Sequence, residues 1–261
     1  MRILFMGNNW IAWQVIRYLN EMNENIVGLV IHPKDKQRYS KEIVESTNIH
    51  PSRIFDGSNL EKEKTFEEIK ALKPDIGLSI LFGYIVSKDF IDIFKAGIIN
   101  LHPSYLPYNR GTFPNVWSIV ENTPAGVTLH YIDDGIDSGN IIAQQEVPST
   151  CTDTGESLYN KLEHVSIKLF TEYWPCIRAG KAPQVSKAAI KGAYHSRKDV
   201  QKIDEIDLNR KYLARDLINI IRARTFPPYK GSFFWDGENK IYLRMQLFKE
   251  EEMRKQIGSE Y

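Results

Sequence analysis

The stretch "DIGLSILFGYIVSKDFIDIFKAGIINLH", residues 75–102, predicts the fold class of the chain. It contains two apolar runs, 75–82 and 97–102, on either side of a short segment with helical character at 87–94. Apolar strands that alternate with helices are typical of a parallel sheet whose two faces are both covered. We therefore expect an α/β protein that binds its ligands beyond the carboxyl ends of its strands.

The rest of the chain extends this pattern on both sides of that stretch. Further apolar runs that favour strands lie at 2–7, 25–32, 125–133 and 140–147. Apolar residues at helical spacing predict helices at 11–22, 66–72, 114–121 and 155–179. The sequence thus predicts an α/β fold with a Rossmann-like, mostly parallel sheet.

After about residue 200 the pattern changes to a helix, "LNRKYLARDLINIIRA" at 208–223, and an apolar hairpin. We expect a catalytic domain at 1–200 and a small C-terminal helix-plus-hairpin module at 201–261. The hairpin strands, "SFFW" and "KIYLRMQLF", are apolar enough to need a partner surface. A homodimer joined through this module is the preferred interpretation, and packing of the hairpin on its own catalytic domain is the alternative.

Composition favours a soluble, cytoplasmic protein. The 261 residues are 42% apolar and 26% charged, with a formal net charge of +1. A nucleic-acid-binding chain usually shows a basic excess or a basic stripe, so no nucleic-acid partner is expected. No run approaches the roughly 18 apolar residues of a membrane helix. Cys151 and Cys176 lack the spacing of metal ligands, which indicates reduced thiols and no metal site.

A second stretch, "NLHPSYLPYNRG" at 100–111, places Asn100 and His102 two residues apart at the end of a predicted strand. Residues i and i+2 of a strand point to the same side, so an amide donor and an imidazole would be presented together. An imidazole accepts a proton near neutral pH, and an amide N–H stabilises a developing oxyanion. The pair therefore predicts a catalytic site.

Two more stretches complete the expected site: "DDGIDSGNII" at 133–142 and "LFGYIVS" at 81–87. A carboxylate from the first would orient the imidazole or take part in proton transfer. No serine or cysteine lies in a nucleophile elbow. An asparagine, a histidine and a carboxylate are better suited to direct transfer of an acyl group between two substrates than to transfer through a covalent acyl-enzyme.

Together, "NLHPSYLPYNRG" and "GVTLHYIDDGIDSGNII" resemble the signature of the folate-dependent formyltransferases. That family includes glycinamide ribonucleotide transformylase, methionyl-tRNA formyltransferase and the sugar N-formyltransferases of bacterial surface polysaccharides. The resemblance covers roughly residues 1–180, with both motifs in the family's order. It implies the formyltransferase fold and N10-formyltetrahydrofolate as the formyl donor.

The resemblance assigns the family's Asn-x-His pair to Asn100 and His102 and its aspartate to Asp137. The tetrahedral intermediate would be held by Asn100 and protonated His102, and Asp137 would hold the imidazole and help to move the amine proton. The resemblance places pterin-binding positions on one loop and at the start of the aspartate loop: Phe82, Gly83, Tyr84, Ile85, Val86 and Asp133.

Residues outside these two catalytic motifs determine which amine accepts the formyl group. The residues after 200 include 12 lysines and arginines against 10 aspartates and glutamates, which is a poor platform for tRNA. The tail and the run "PYNRGTFPNVW" resemble the sugar N-formyltransferases, which implies a nucleotide-linked amino sugar such as a dTDP-4-amino-4,6-dideoxyhexose for O-antigen synthesis. Expected contacts with the sugar nucleotide are Trp10, Tyr108, Asn109, Arg110 and Tyr229, with Arg110 at the diphosphate and Tyr229 on the base or in the hairpin core.

Ordinary interpretations stand beside these. Asp133 and Asp134 would cap or solvate their loop, and Trp10 would be a core or interface residue. Five histidines show no partner in the sequence and are read as structural or surface residues: His32, His50, His130, His164 and His195. A methionyl-tRNA formyltransferase with a shortened tail and a non-catalytic binding module that keeps the fold remain alternatives.

Overall fold

The structure is a computed structural model that describes residues 1–186 and 192–257. Its strands are β1 (Arg2–Gly7), β2 (Asn25–Ile31), β3 (Ile54–Asp56), β4 (Ile76–Ile80), β5 (Ile98–His102), β6 (Arg110–Gly111), β7 (Gly126–Tyr131), β8 (Ile141–Glu146), β9 (Tyr194–His195), β10 (Phe233–Asp236) and β11 (Asn239–Tyr242). Its helices are α1 (Trp10–Glu21), α2 (Ser40–Glu45), α3 (Glu63–Ala71), α4 (Lys88–Asp92), α5 (Pro114–Val120), α6 (Gly155–Arg178), α7 (Arg197–Asp204), α8 (Ala214–Arg224) and α9 (Glu250–Ile257).

Seven strands form the central sheet in the order β3-β2-β1-β4-β5-β7-β8. The first five are parallel, and β7 and β8 are antiparallel to their neighbours. The expected mostly parallel α/β fold is therefore confirmed. Because β7 runs against β5, its residues lie beside the end of β5, with His130 opposite Asn100 and Thr128 opposite His102.

Two hydrophobic clusters cover the two faces of the sheet. The larger includes residues of α1 and α6, such as Ile16 and Leu162. The smaller lies under α3 and α4, and it includes Ile98 of β5 and Phe90 of α4. Since Ile98, Asn100 and His102 alternate along one strand, they share this face. The site therefore lies just beyond the smaller core.

The C-terminal elements divide between the main core and the surface. Val200 of α7 and Ala223 of α8 belong to the larger cluster. Arg222 is buried and donates to the carbonyl oxygen of Asp153 at 2.7 Å. The β10–β11 hairpin is different, because every residue of β11 is exposed. The domain boundary near residue 200 stays a prediction, and both predicted domains include residues outside the described ranges.

Candidate active site

The end of β5 carries the first two expected catalytic side chains. His102 is 6% exposed, and Asn100 is partly buried on the same face. The loop that follows is fixed from below by Thr128, whose hydroxyl donates to the carbonyl oxygen of Ser104 at 2.7 Å. The side-chain amide of Gln144 donates a hydrogen bond to the carbonyl oxygen of Leu106 at 2.7 Å. These buried bonds hold the loop on β7 and β8.

The same loop ends in β6, which turns back toward the site. β6 pairs in parallel with β9, so that Gly111 lies beside His195. Gly111 has φ +91°, and a Cβ there would lie 2.4 Å from the carbonyl oxygen of His195, so only glycine fits. Its backbone N–H donates to Oδ2 of Asp137 at 2.8 Å. The "NRG" end of the motif thus holds the carboxylate of the other motif.

Asp137 is held in an unusual backbone conformation. Its φ is +49°, a region that aspartate enters more readily than most residues. Two residues later, a Cβ on Gly139 would lie 1.9 Å from the carbonyl oxygen of Tyr131, so the loop passes β7 too closely for any other residue. This close approach explains the glycine of the Asp-Ser-Gly sequence in physical terms.

The three expected catalytic residues therefore meet. Nε2 of His102 lies 3.5 Å from Oδ2 of Asp137, and Nδ2 of Asn100 donates to Oδ1 of Asp137 at 3.3 Å. Within the described residues, Nε2 of His102 has no hydrogen-bond partner although it is buried. A buried imidazole nitrogen that lies next to a carboxylate and makes no hydrogen bond within the described residues is equipped for proton transfer.

His130 is a site residue that sequence reasoning missed. Its Nε2 lies 3.1 Å from Nδ2 of Asn100 and 3.7 Å from Oδ1 of Asp137. Its Nδ1 lies 2.8 Å from the carbonyl oxygen of Tyr131, which places the proton on Nδ1 and leaves Nε2 to accept from Asn100. The Asn100 amide is therefore held by His130 and Asp137. His130 reaches Asn100 only because β5 pairs with β7, and the sequence alone does not reveal that pairing.

The expected pterin loop follows β4. Phe82 is buried, Gly83 has φ +74°, and Ile85 is 78% exposed. Tyr84 packs on Phe82, with ring centroids 5.3 Å apart. An exposed isoleucine on this loop offers an apolar surface for a ligand, while the buried Phe82 anchors the loop to the smaller core.

Among the expected nucleotide contacts, Trp10 lines a cavity, and Tyr229 contacts two residues of the wall of that cavity. Trp10 lines a cavity of about 370 Å³ whose wall also includes Arg38, Tyr159, Glu163 and Phe226. Tyr229 packs edge-on against Phe226 at 5.3 Å, and the guanidinium carbon of Arg38 lies 5.6 Å from its ring centroid. Tyr229 precedes the hairpin, and its expected role on the base or in the hairpin core stays a prediction. Arg38 carried no recognisable sequence signal.

The cavity combines aromatic rings with charge. Burial raises the pKa of the Glu163 carboxyl, against a lowering by the Tyr159 hydroxyl and by His164. Burial likewise raises the pKa of the Tyr159 phenol, so this side chain is neutral. Arg38, the aromatic rings and the polar groups of Tyr159 and Glu163 suit a nucleotide, in which a planar base is joined to anionic phosphates.

The side chain of Asn109 lies inside the protein, and its expected contact with the sugar nucleotide stays a prediction. It is 1% exposed, and its amide group contacts the hydroxyl of Thr123 at 2.8 Å. Asn109 has φ +52° and fixes the loop from inside.

The remaining expected contacts stay predictions. Tyr108 and Arg110 lie in the anchored loop and in β6, away from the lining of the cavity. Asp133 is exposed, and its Oδ1 accepts from the N–H of Gly135 at 3.1 Å and from the hydroxyl of Ser138. It therefore stabilises the Asp137 loop through local bonds.

Two features are absent from residues 1–186 and 192–257. No cluster of three or more His, Cys, Asp or Glu side chains is arranged to hold a metal ion. No helix in these ranges is both long and apolar enough to span a membrane.

Two family models match the chain. The model described as "Formyl transferase" matches residues 1–173. The model described as "N-formyltransferase dimerization C-terminal domain" matches residues 199–249.

Curated relatives include enzymes for two kinds of acceptor. A methionyl-tRNA formyltransferase from Geobacillus sp. (strain WCH70) is 32% identical over 78% of this chain and 67% of its own length. A dTDP-4-amino-4,6-dideoxyglucose formyltransferase from Mycobacterium tuberculosis (strain CDC 1551 / Oshkosh) is 35% identical over 57% of this chain and 64% of its own length. The matched part of the chain thus spans about two thirds of these relatives.

Two solved structures match more than nine tenths of the chain. A 4-N formyltransferase from Francisella tularensis has a TM-score of 0.79 and 28% identity, covering 95% of this chain and 98% of its own. An N-formyltransferase from Helicobacter canadensis, in complex with folinic acid and dTDP-3-aminofucose, has a TM-score of 0.71 and 27% identity, covering 91% of this chain and 85% of its own.

Proposed function

Because the chain belongs to the formyl transferase family, we propose that it transfers a formyl group from N10-formyltetrahydrofolate to the amino group of a nucleotide-linked amino sugar. The observation that carries this proposal is the contact of Asp137 with Asn100 and His102. A cavity lined by aromatic residues and Arg38 supports it. The ligands of the Helicobacter canadensis structure support the same pair of substrates.

The residues present fit a folate. Loop 82–86 and the Asp137 loop each expose an isoleucine, Ile85 and Ile136, at 78% and 36%. Apolar side chains on two loops suit the faces of a flat pterin ring, and the backbone groups of loop 82–86 suit its polar edge. N10-formyltetrahydrofolate supplies the formyl carbon to this site.

The chain's own residues would divide the chemistry among them. The acceptor amine attacks as the neutral base, and an amide N–H of Asn100 donates to the oxygen on which negative charge develops. This donor is released from His130 or Asp137 when that oxygen binds. His102 holds the proton that moves from the amine to the leaving nitrogen, and Asp137 stabilises the imidazolium.

The cavity supports a sugar nucleotide over tRNA. A diphosphate needs only one or two cationic side chains, and Arg38 lines the cavity beside rings that stack on a base. A tRNA substrate requires contacts with several phosphates, for which the net charge of +1 provides little. The finer assignment within this proposal is a dTDP-4-amino-4,6-dideoxyhexose used for surface polysaccharide, with methionyl-tRNA as the alternative acceptor.

Formyl transfer to dTDP-4-amino-4,6-dideoxyglucose, dTDP-3-amino-3,6-dideoxygalactose, GDP-perosamine and methionyl-tRNA, measured side by side, tests this proposal. We expect a sugar nucleotide to be formylated with a shallow dependence on salt concentration, because few ionic contacts form. Formylation of methionyl-tRNA alone, with a steep loss of rate as salt increases, would establish the alternative. Formylation of none of the four would contradict both.

We also propose a homodimer joined through the C-terminal hairpin. Trp235, Ile241 and Tyr242 are 47%, 39% and 42% exposed, and β11 is a free edge within the described residues. Exposed apolar edge strands pair readily with other chains. The match of residues 199–249 to a dimerization domain supports this arrangement.

Trp235→Glu combined with Ile241→Glu is expected to convert the dimer into a monomer that still folds, because both side chains are exposed in the single chain. Light scattering measures the mass, and Met22→Glu, at a 42% exposed apolar residue in another region, is the matched control. Truncation near residue 200 is a poorer test, since it would remove α8 from the core. A wild-type monomer, or an unchanged dimer in the double variant, would refute the hairpin interface.

A further inference from the structure

A buried asparagine fixes one wall of the cavity. Asn8 directly follows β1 and is 8% exposed. Its Oδ1 accepts from the N–H of Arg38 at 2.9 Å, and its Nδ2 donates to the carbonyl oxygen of Lys36 at 3.0 Å. One short side chain therefore holds both ends of segment 36–38 and places Arg38 at the cavity.

A histidine continues this connection to loop 82–86. His32 directly follows β2, and its Nδ1 lies 2.9 Å from Nδ2 of Asn8. Its Nε2 contacts the carbonyl oxygen of Phe82. The ring also packs edge-on against Phe82 and Tyr84, with centroid distances of 5.5 and 4.9 Å.

The geometry determines the tautomer of His32. Oδ1 of Asn8 must face the N–H of Arg38, so Nδ2 faces His32 as a donor, and Nδ1 of His32 accepts. The proton then lies on Nε2, which donates to the carbonyl oxygen of Phe82. β2, β1 and β4 are neighbours in the sheet, so this chain of bonds crosses the carboxyl ends of three adjacent parallel strands.

We propose that Asn8 and His32, hereafter the Asn8–His32 bridge, couple the two substrate sites, so that occupancy of loop 82–86 by folate strengthens binding of the nucleotide in the Arg38 cavity. This inference rests on the proposed function. Each ligand orders one end of the same hydrogen-bonded bridge, and the second ligand then has less ordering to supply. Coupling of this kind is reciprocal, since each ligand changes the affinity of the other by the same factor.

The Asn8–His32 bridge depends on pH, because it requires the neutral form of His32. Burial lowers the pKa of His32 below its usual value, Lys36 lowers it further, and the Phe82 carbonyl and Asp56 raise it. The neutral ring, with Nδ1 as acceptor, therefore prevails at neutral pH. Protonation places a second N–H against the Asn8 amide group, so the bridge is lost as the pH falls through this lowered pKa.

The coupling is measured by calorimetric titration of the full chain with folinic acid, with and without saturating dTDP, and with UDP and GDP as parallel probes. We expect the nucleotide to strengthen folinic acid binding on the order of 5-fold or more at neutral pH. His32→Phe keeps a ring against Phe82 and Tyr84 but removes both hydrogen bonds of the histidine. The affinity ratio, which is the folinic acid affinity with nucleotide divided by that without it, is therefore expected to fall to about 1 in this variant. His50→Phe, at an exposed histidine outside the bridge, is the matched control and is expected to keep the wild-type ratio.

A second variant tests the role of the imidazole proton. Asn8→Asp replaces the donor facing Nδ1 by a carboxylate, which accepts from protonated His32. The substitution also removes the bond to the carbonyl oxygen of Lys36, while an oxygen remains to accept from the N–H of Arg38. The affinity ratio is therefore expected to rise as the pH falls in this variant, whereas in the wild type it decreases. Circular dichroism and the thermal midpoint check that each variant is folded.

The outcomes separate this inference from the proposed function. Wild-type chain that binds neither folinic acid nor any of the three nucleotides contradicts the proposed function and the inference with it. Wild-type chain that binds both ligands without coupling, or a folded His32→Phe with the wild-type ratio, overturns the bridge alone. An unchanged pH trend in folded Asn8→Asp also overturns it.

Discussion

His102→Gln is expected to lower kcat for formyl transfer by about 10²–10⁴-fold, the contribution of a positioned acid–base group. His102 is buried at the end of β5, and its Nε2 lies 3.5 Å from the Asp137 carboxylate without a hydrogen-bond partner in the described chain. Glutamine keeps a polar side chain of similar reach but does not exchange a proton near neutral pH. The loss should therefore fall on turnover, while binding of folinic acid, measured by calorimetry, changes little.

The matched control is His50→Gln, because His50 is exposed and lies outside the site. It is expected to retain wild-type kcat and KM. Wild-type turnover in folded His102→Gln would remove this residue from the mechanism. A rise in KM with kcat unchanged would make it a binding residue, because a group that acts only in the transition state does not change KM alone.

The three side chains that meet at the end of β5 were expected from sequence on two different grounds. Asn100 and His102 share a face through strand alternation, whereas Asp137 was assigned only through the resemblance of its motif to the formyltransferase signature. Strand bounds were also close to those observed, as in residues 2–7 and β1 (Arg2–Gly7), since buried runs end where polar or turn residues begin.

Other site residues were not predictable because their roles depend on tertiary pairing. His130 joins the site only through the register of β7 on β5. His32 and Asn8 meet because β2 and β1 are adjacent in the sheet, although 24 residues separate them along the chain. Asn109 shows the converse: it lies in the motif that carries the chemistry, yet its side chain is enclosed.

Short and polar elements were missed for a related reason. β3 has three residues, and α7 has one buried residue, Val200, so neither shows a clear hydrophobic period. The helix expected at 208–223 begins only at Ala214. The Asp207 side chain accepts the N–H of Asn209 at 2.9 Å, and such a local turn competes with helix formation.

Asp137→Asn is expected to lower kcat by about 10²–10⁴-fold, comparable to the loss in His102→Gln. Asparagine has the same shape and adopts positive φ as readily as aspartate, so the backbone at φ +49° is retained. The amide oxygen still accepts from the Gly111 N–H, which the aspartate binds at 2.8 Å. Two things disappear: the hydrogen bond that Oδ1 accepts from Asn100, and the negative charge beside His102. That charge stabilises the imidazolium formed when the amine loses its proton.

This design separates the charge from the geometry of the loop. Asp134→Asn removes one negative charge from the same loop at an exposed position, and it is expected to leave kcat unchanged. The double variant His102→Gln with Asp137→Asn should be little worse than either single variant, because the two side chains act as one unit and such effects are strongly non-additive. Multiplicative losses in the double variant would show that Asp137 acts independently of His102. Equal losses in Asp134→Asn and Asp137→Asn would show instead that the enzyme responds to the total charge of the loop, and the carboxylate–imidazole contact would then have no catalytic role.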